Sequence, residues 1–533
     1  MTQQPGAEVH EIARRAGVVA FFTLGSRILG AIRDIVVFHA FGATAATDAF
    51  FVAFTIPNVF RRLVAEGALT VAFIPVYTET RQREGNAAAS ALANAAFTLT
   101  LLGVGAITAL GALGAGALVL LFASGFAHDP AQLAQATGLT RVMFPYLLLI
   151  SGVALAMGLL NANGHFAAPA AAPMLLNLAI IGTAYFSNWF DPPILSLAVG
   201  VLIGGVAQLA LQVPALLRAG LLPQLTRQLD LPATRKLLRL LGPAVFGLAV
   251  YQLNIIVIRQ LASYLPPGHI SYLYNADRLM ELALGVFALS IATAALPALS
   301  DQAARADLGA VVKTFADSLR LTNFITIPAM VGLIALAFPI VSVLYLHGRF
   351  GLTDVQLTAR ALVAFAPGLL AIAIVRLVAQ TFYALSDTRT PALVAVVSFI
   401  VNAGLGIALV GRHDSAGLAA ALTVATSIQA LLLLGLLRRT LGPLGLRLLA
   451  LATLRQLIAA VVMGAAVHAL ALVGDWSQGP HRWHNPALLA ALLVGGIALY
   501  ALLVVLLRGD ELQLLRVAWS RRRTPHPVPG NRA

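Results

Sequence analysis

Cysteine is absent from all 533 residues, which removes disulfides, thiolate metal sites and thiol nucleophiles together. Charge is scarce as well. Only 11% of the chain is Asp, Glu, Lys or Arg, against about 25% in an ordinary soluble protein. A chain this poor in charge has too little polar surface to cover a water-facing exterior, so lipid must cover much of it. Lysine occurs only at Lys236 and Lys313, and arginine carries almost all of the formal net charge of +14. On a soluble protein a pI near 10.9 points to nucleic acid. Here the basic residues collect in loops, as they do on the cytoplasmic side of membrane proteins. No basic run is interleaved with stacking aromatics, so no nucleic-acid partner is expected. His128, His347, His413 and His468 stand isolated in the chain and read as structural. No cofactor and no metal site is called for.

Apolar sequence is what remains: 59% of the residues are hydrophobic and the mean hydropathy is +0.87. The apolar runs recur regularly, each near the ~20 residues that cross a bilayer core. About fourteen spans follow, near 15–40, 47–78, 88–123, 137–162, 167–188, 193–217, 237–264, 270–300, 315–346, 357–384, 390–410, 416–437, 448–473 and 486–507. Turn-rich stretches such as NANGHF, SNWFDPP, YLPPGH and LSDTRTP separate them. The first run follows Glu8, Glu11, Arg14 and Arg15, contains arginines and lacks a well-placed small-residue cleavage site. It reads as a retained membrane helix and not as a leader.

Alternate loops carry the arginines: Arg81 and Arg83, then Arg218 to Arg239, Arg305 to Arg320, Arg389, and Arg438 to Arg447. The opposite loops offer only Arg349, Arg412 and Arg482. The tail adds Arg508, Arg516 and Arg521 to Arg523. This bias predicts cytoplasmic termini and an even number of spans. A faint repeat also shows. Pro75, Pro145 and Pro169 recur as Pro297, Pro367 and Pro391, each 222 residues on. An offset of six spans preserves topology, so the repeats are parallel, about an axis along the membrane normal. The expected architecture is an all-α integral membrane protein: an N-terminal lobe over 1–220, a second six-helix lobe over 221–440, two further helices over 441–510 and a basic tail over 511–533.

Ionisable side chains inside spans are the informative ones, because each costs at least ~2.5–3.5 kcal/mol at a helix centre. Span one reads LGSRILGAIRD, with Ser26, Arg27, Arg33 and Asp34. Span two holds Asp48, Asn58, Arg61, Arg62 and Glu66 around Pro57, and span eight holds Asn275, Asp277, Arg278 and Glu281. At a rise of ~1.5 Å per residue, Arg27, Arg33, Arg61 and Arg278 fall roughly 12 to 27 Å inside their spans. Bland readings exist for several neighbours. Arg62 and Glu66 have the spacing of an intrahelical ion pair, and Asp277 and Glu281 suit neutralising nearby arginines. Asp34 reads as a partner holding Arg27 or Arg278, and Asp48 as an interfacial or cavity acid. The four arginines resist such a reading: they outnumber the carboxylates and leave positive charge that a purely structural network would avoid. An anionic ligand completes the site, and a guanidinium forks onto phosphate oxygens without losing its proton. Ser26 and Asn58 are further candidate contacts.

Two rival classes fit less well. A drug or cation antiporter needs an acidic or aromatic cavity, and this one is basic. An intramembrane enzyme acting on polyprenyl phosphates needs an acidic metal cluster or a general base at a loop boundary, and none is visible.

SRILGAIRD at 26–34, ATDAFFVAF at 46–54, PNVFRRLVAEGAL at 57–69, FPYLLLISG at 144–152, YNADRLMEL at 274–282 and HGRF at 347–350 together resemble the lipid II flippase (MurJ/MviN) family of the multidrug/oligosaccharidyl-lipid/polysaccharide exporter superfamily. The resemblance implies a transporter of the bacterial cytoplasmic membrane that exports lipid II, an undecaprenyl pyrophosphate with a sugar–peptide headgroup, for peptidoglycan synthesis. It implies that Arg27, Arg33, Arg61 and Arg278 are the cavity arginines, with Asp34 and Asp48 as matching acids. It also implies that spans thirteen and fourteen form a groove for the lipid tail. Expected partners are lipid II, membrane lipids and cell-wall synthesis or division enzymes. Some members bind sodium with carboxylates on spans seven and eleven. Here those spans offer Gln252, Asn254 and Asn402 but no buried acid, so that site is not expected.

Overall fold

The computed structural model describes residues 5–63, 70–481, 483–507 and 509, and leaves undescribed the side chains of 5–16, 70–71, 242–251, 284–290, 292–294 and 446. Glu66, Arg482, Arg508 and the basic tail therefore lie outside the described residues. No strand occurs among those described. Among the described residues seventeen α-helices follow one another: α1 (Pro5–Phe41), α2 (Ala45–Phe60), α3 (Thr70–Glu84), α4 (Asn86–Leu113), α5 (Ala115–Phe122), α6 (Pro130–Met143), α7 (Tyr146–Ala162), α8 (Ala167–Tyr185), α9 (Leu195–Arg218), α10 (Pro232–Ala262), α11 (His269–Ala304), α12 (Leu308–Ala335), α13 (Ala337–Tyr345), α14 (Leu352–Ala384), α15 (Arg389–Leu441), α16 (Leu446–Ala471) and α17 (His484–Leu506).

Among the described residues, every expected span falls on a helix or on two successive helices. Spans eleven and twelve run into one another as α15, which departs from helical geometry at His413 and Asp414. Among the described residues, nine helices are long and apolar enough to cross a membrane. They carry ten of the expected spans. The other four, on α1, α2 with α3, α10 and α11, include residues or side chains that are not described.

Local chemistry sets several of the boundaries. Thr44 and Thr47 make a reciprocal cap at the start of α2. Asp129 accepts from the N–H groups of Ala131 and Gln132 at 3.0 and 3.1 Å and is followed by Pro130 in the first turn of α6. Asp307 starts α12 by accepting from the N–H of Ala310 at 2.9 Å. Helix starts also recur along the chain: Asn86 and Leu308, Pro130 and Leu352, and Ala167 and Arg389 are each 222 positions apart. The faint proline repeat therefore extends to where these helices begin.

The chain forms two compact units, the first Met1–Tyr272 with His347–Gly351, the second Leu273–Leu346 with Leu352–Ala533. In the first unit Phe73, Tyr77, Leu92, Leu155, Leu159 and Leu237 make a core between α3, α4, α7 and α10. Helices α8 and α9 lie nearly in backbone contact, because a Cβ on Gly204 would come within 2.8 Å of the Cα of Leu176. Small residues allow such contacts in membrane bundles, where no hydrophobic force separates helix from lipid. In the second unit Phe315, Leu377, Phe382, Leu433 and Leu437 pack α12, α14 and α15 together. Helices α16 and α17 join α12 through Met463, Val467, Tyr500 and Phe324. A polar seam adds to this, Asn323 donating to Thr453 at 3.0 Å and Gln456 to the carbonyl of Arg320 at 3.2 Å. Leu393, Ile400, Ile407 and Leu431 stand out from α15 with more than half of their surface exposed, as lipid-facing side chains do.

Candidate functional site

In the first unit the charged stretch of α1 lies against α8. Arg33 is buried and donates from Nε and Nη2 to Asp34 Oδ1 at 3.0 and 2.6 Å. Its Nη1 donates to Asn177 Oδ1 at 3.2 Å, and Asn177 Nδ2 donates to the carbonyl of Ser26 at 3.1 Å. Asp34 was expected to hold Arg27 or Arg278. It accepts from Arg33, the adjacent residue, while Arg27, nearly two turns away, does not reach it. Arg27 is half-buried, and among the described residues it has no hydrogen-bond or ion-pair partner. The charge of the Arg33–Asp34 pair sums to zero, so the positive charge left over on this stretch of α1 is that of Arg27.

Helix α2 supplies Asp48, Asn58, Arg61 and Arg62. Pro57 lies inside the helix and removes one backbone donor. Asn58 returns its amide to the carbonyl of Phe54 at 2.7 Å, and the chain widens to a π turn over Arg61 to Leu63. Arg61 and Arg62 are half-buried there. Asp48, expected as an interfacial or cavity acid, is buried in protein. It accepts from the N–H of Gly268 at 2.6 Å and from the N–H and hydroxyl of Ser271 at 2.8 and 2.6 Å. These are free donors at the start of α11, so Asp48 serves as a helix cap supplied from a distant part of the chain. Sequence spacing carries no trace of such a cap.

The second unit carries Asp277, Arg278 and Glu281 on α11. Arg278 pairs with Glu281 at 3.1 Å, one turn on, and its guanidinium lies 5.9 Å from the ring centre of Tyr274. Both side chains are partly exposed. Arg33 and Arg278 thus each have a carboxylate partner, while Arg27 has none among the described residues. Asp277 is half-buried beside them.

A model of the family described as "Lipid II flippase MurJ" matches residues 37–486. The chain belongs to the lipid II flippase MurJ family. A probable lipid II flippase MurJ of Vibrio cholerae is 37% identical over 94% of this chain and 97% of its own length. The lipid II flippase MurJ of Burkholderia cenocepacia is 36% identical over 90% and 95%. Among solved structures, a lipid II flippase MurJ in an inward closed conformation superposes with a TM-score of 0.78 at 25% identity, covering 92% of this chain and 98% of that one. An inward-facing multidrug transporter of the MOP superfamily shares the fold, with a TM-score of 0.65 at 15% identity over 81% of this chain. The chain is accordingly a multi-pass transporter and not an enzyme.

Sequence reasoning about this MurJ family member missed two residues near the expected positions. Asn177 lies 144 positions from Arg33, on an apolar helix, with nothing nearby to mark it. His347 was read as isolated, yet its Nδ1 lies 3.0 Å from that of His39. Only the HGRF match hinted that its segment has a defined seat.

Proposed function

We propose that this protein is a lipid II flippase of the bacterial cytoplasmic membrane, moving the undecaprenyl-pyrophosphate-linked precursor from the cytoplasmic to the periplasmic leaflet by alternating access. Both termini lie in the cytoplasm, in keeping with the arginine-rich alternate loops. The two lobes over 1–220 and 221–440 rock against each other, the helices over 441–510 receive the lipid tail, and the tail stays in lipid while the headgroup crosses. The repeated helix starts support a two-lobed reading.

Arg27, Arg33, Arg61 and Arg278 bind the pyrophosphate. The observation that carries this is Arg27: a half-buried guanidinium on a membrane helix, without a counter-ion among the described residues. Such a charge is expensive in hydrocarbon, and a phosphate oxygen offsets that cost. Arg33 and Arg278 exchange Asp34 and Glu281 for phosphate when the substrate arrives, so the empty site carries less positive charge than its four arginines alone would give it. The membrane potential favours outward movement of an anion by ~2.3 kcal/mol per charge per 100 mV, hence ~4–5 kcal/mol for two charges.

The test is depletion of the endogenous flippase and complementation with this chain, scored by lipid II reaching the outer leaflet. Wild type restores exposure; Arg27→Ala, Arg61→Ala and Arg278→Ala do not. Full export by the Arg27→Ala variant overturns the pyrophosphate reading, and export unchanged in depolarised cells overturns the role of the potential.

A further inference from the structure

Helix α1 ends at Phe41, and Gly42 turns the chain with φ of +65°. The short segment 347–351 is seated against this end. The N–H of Arg349 donates to the carbonyl of His39 at 3.0 Å, and the rings of Phe38 and Phe350 meet edge to face with centres 5.4 Å apart. A Cβ on Gly348 would stand 2.3 Å from the carbonyl oxygen of His39, and one on Gly42 would stand 2.6 Å from that of Arg349. Gly348 also has a positive φ, +62°, so only glycine satisfies both the torsion and the approach. Two backbones in contact hold His39 and His347 side by side. Their Nδ1 atoms are 3.0 Å apart and their ring planes are inclined at 52°. His39 is exposed and His347 half-buried.

We propose that the facing Nδ1 atoms of His39 and His347 form a two-imidazole site for a divalent transition-metal cation such as Cu2+, Ni2+ or Zn2+. In the hydrogen-bonded pair one Nδ1 carries the proton and the other accepts it. Transfer of that proton, by way of solvent, to Nε2 of the same ring leaves two neutral imidazoles whose Nδ1 lone pairs are aimed into the same gap, and the cation takes the place the proton held. The distance fits. With metal–nitrogen bonds of about 2.0–2.1 Å, two ligands at a tetrahedral angle stand roughly 3.3–3.4 Å apart. At a right angle, as in tetragonal Cu2+ or Ni2+ sites, they stand roughly 2.8–3.0 Å apart. The observed 3.0 Å lies within reach of both by small ring rotations. Imidazole ligands select these metals over Mg2+ and Ca2+, which prefer oxygen. Among the described residues no third His, Asp or Glu joins the pair, so water fills the remaining positions, and exposure at His39 gives it access. Arg349 on the same segment adds positive charge, and the site is accordingly exchangeable. A bound cation cross-links the segment 347–351 to the end of α1.

The experiment uses the full chain purified in detergent. Binding of Ni2+ and Cu2+ is counted by equilibrium dialysis in wild type, His39→Gln, His347→Gln and the double variant. Glutamine keeps a hydrogen bond across the gap, so the segment stays seated while the chelate is lost. The expected result is the loss of one equivalent in each single variant and no further loss in the double variant. The Cu2+ resonance spectrum of wild type should also show nitrogen coupling that disappears in all three. Equal binding in wild type and either single variant overturns the proposal, as does a double variant that loses two equivalents. Should glutamine unfold the protein, His39→Asn and His347→Asn give the same comparison. Binding of Mg2+ with equal affinity at this pair also overturns it.

Discussion

Asp48 and Ser271, 223 positions apart, are joined by two hydrogen bonds at 2.8 and 2.6 Å, one from the backbone N–H of Ser271 and one from its hydroxyl. The Asp48 carboxylate thereby closes the start of α11 from α2. Replacing Asp48 with Ala strands buried donors, each costing about 1–3 kcal/mol. Asp48→Ala should therefore lower the unfolding temperature in detergent by several degrees, and Asp48→Asn by less, since its amide oxygen still accepts. Equal melting of Asp48→Ala and wild type would show that the cap contributes nothing.

Arg33 and Asp34 form a buried pair whose members depend on each other. Removing one leaves the other charge uncompensated, which typically costs about 3–5 kcal/mol, while replacing both by apolar residues of similar volume is often nearly neutral. Arg33→Met and Asp34→Leu should each destabilise strongly, and the double variant less than the sum. A thermal double-mutant cycle with no coupling would contradict the pairing. Export should fail in the double variant even where stability returns, because the phosphate-binding guanidinium is gone.

Arg27 gives the opposite pattern. With no partner among the described residues, it has little to lose structurally on truncation. Arg27→Ala should melt at or above the wild-type temperature while lipid II export falls by at least tenfold, about 1.4 kcal/mol of coupling or more. A parallel loss of fold and export would point to a structural arginine.

Outside the membrane, Glu79 at the end of α3 accepts from Lys236 at 2.6 Å and pairs with Arg83 at 3.1 Å. The bond and the charge of Lys236 hold the Glu79 carboxyl below the usual glutamate range. A folded-state value below the unfolded one means stability that is present above the unfolded pKa and lost as pH falls through the folded one. The gap in unfolding temperature between wild type and Glu79→Gln should be small near neutrality, shrink on acidification and shrink with added salt. A gap that widens with acid would reverse this assignment.

The membrane class, the all-helical fold and the identity of the charged residues within the helices were legible because each depends on composition along a single helix. Hydropathy reads off a continuous run, and an arginine inside such a run stands out at once. The 222-residue repeat was legible for the same reason, as a matter of order along the chain.

What the sequence determined by itself, then, was a lipid-embedded helical bundle bearing intramembrane arginines. Only the tertiary structure decided which of those charges have partners: Arg33 with Asp34 and Asn177, Asp48 with the start of α11, His39 with His347. The physical reason is that a carboxylate or imidazole reaches a few ångströms, whereas the residues meeting there come from helices up to hundreds of positions apart. Local patterning cannot say which helix faces fold together, and partnership depends on that alone.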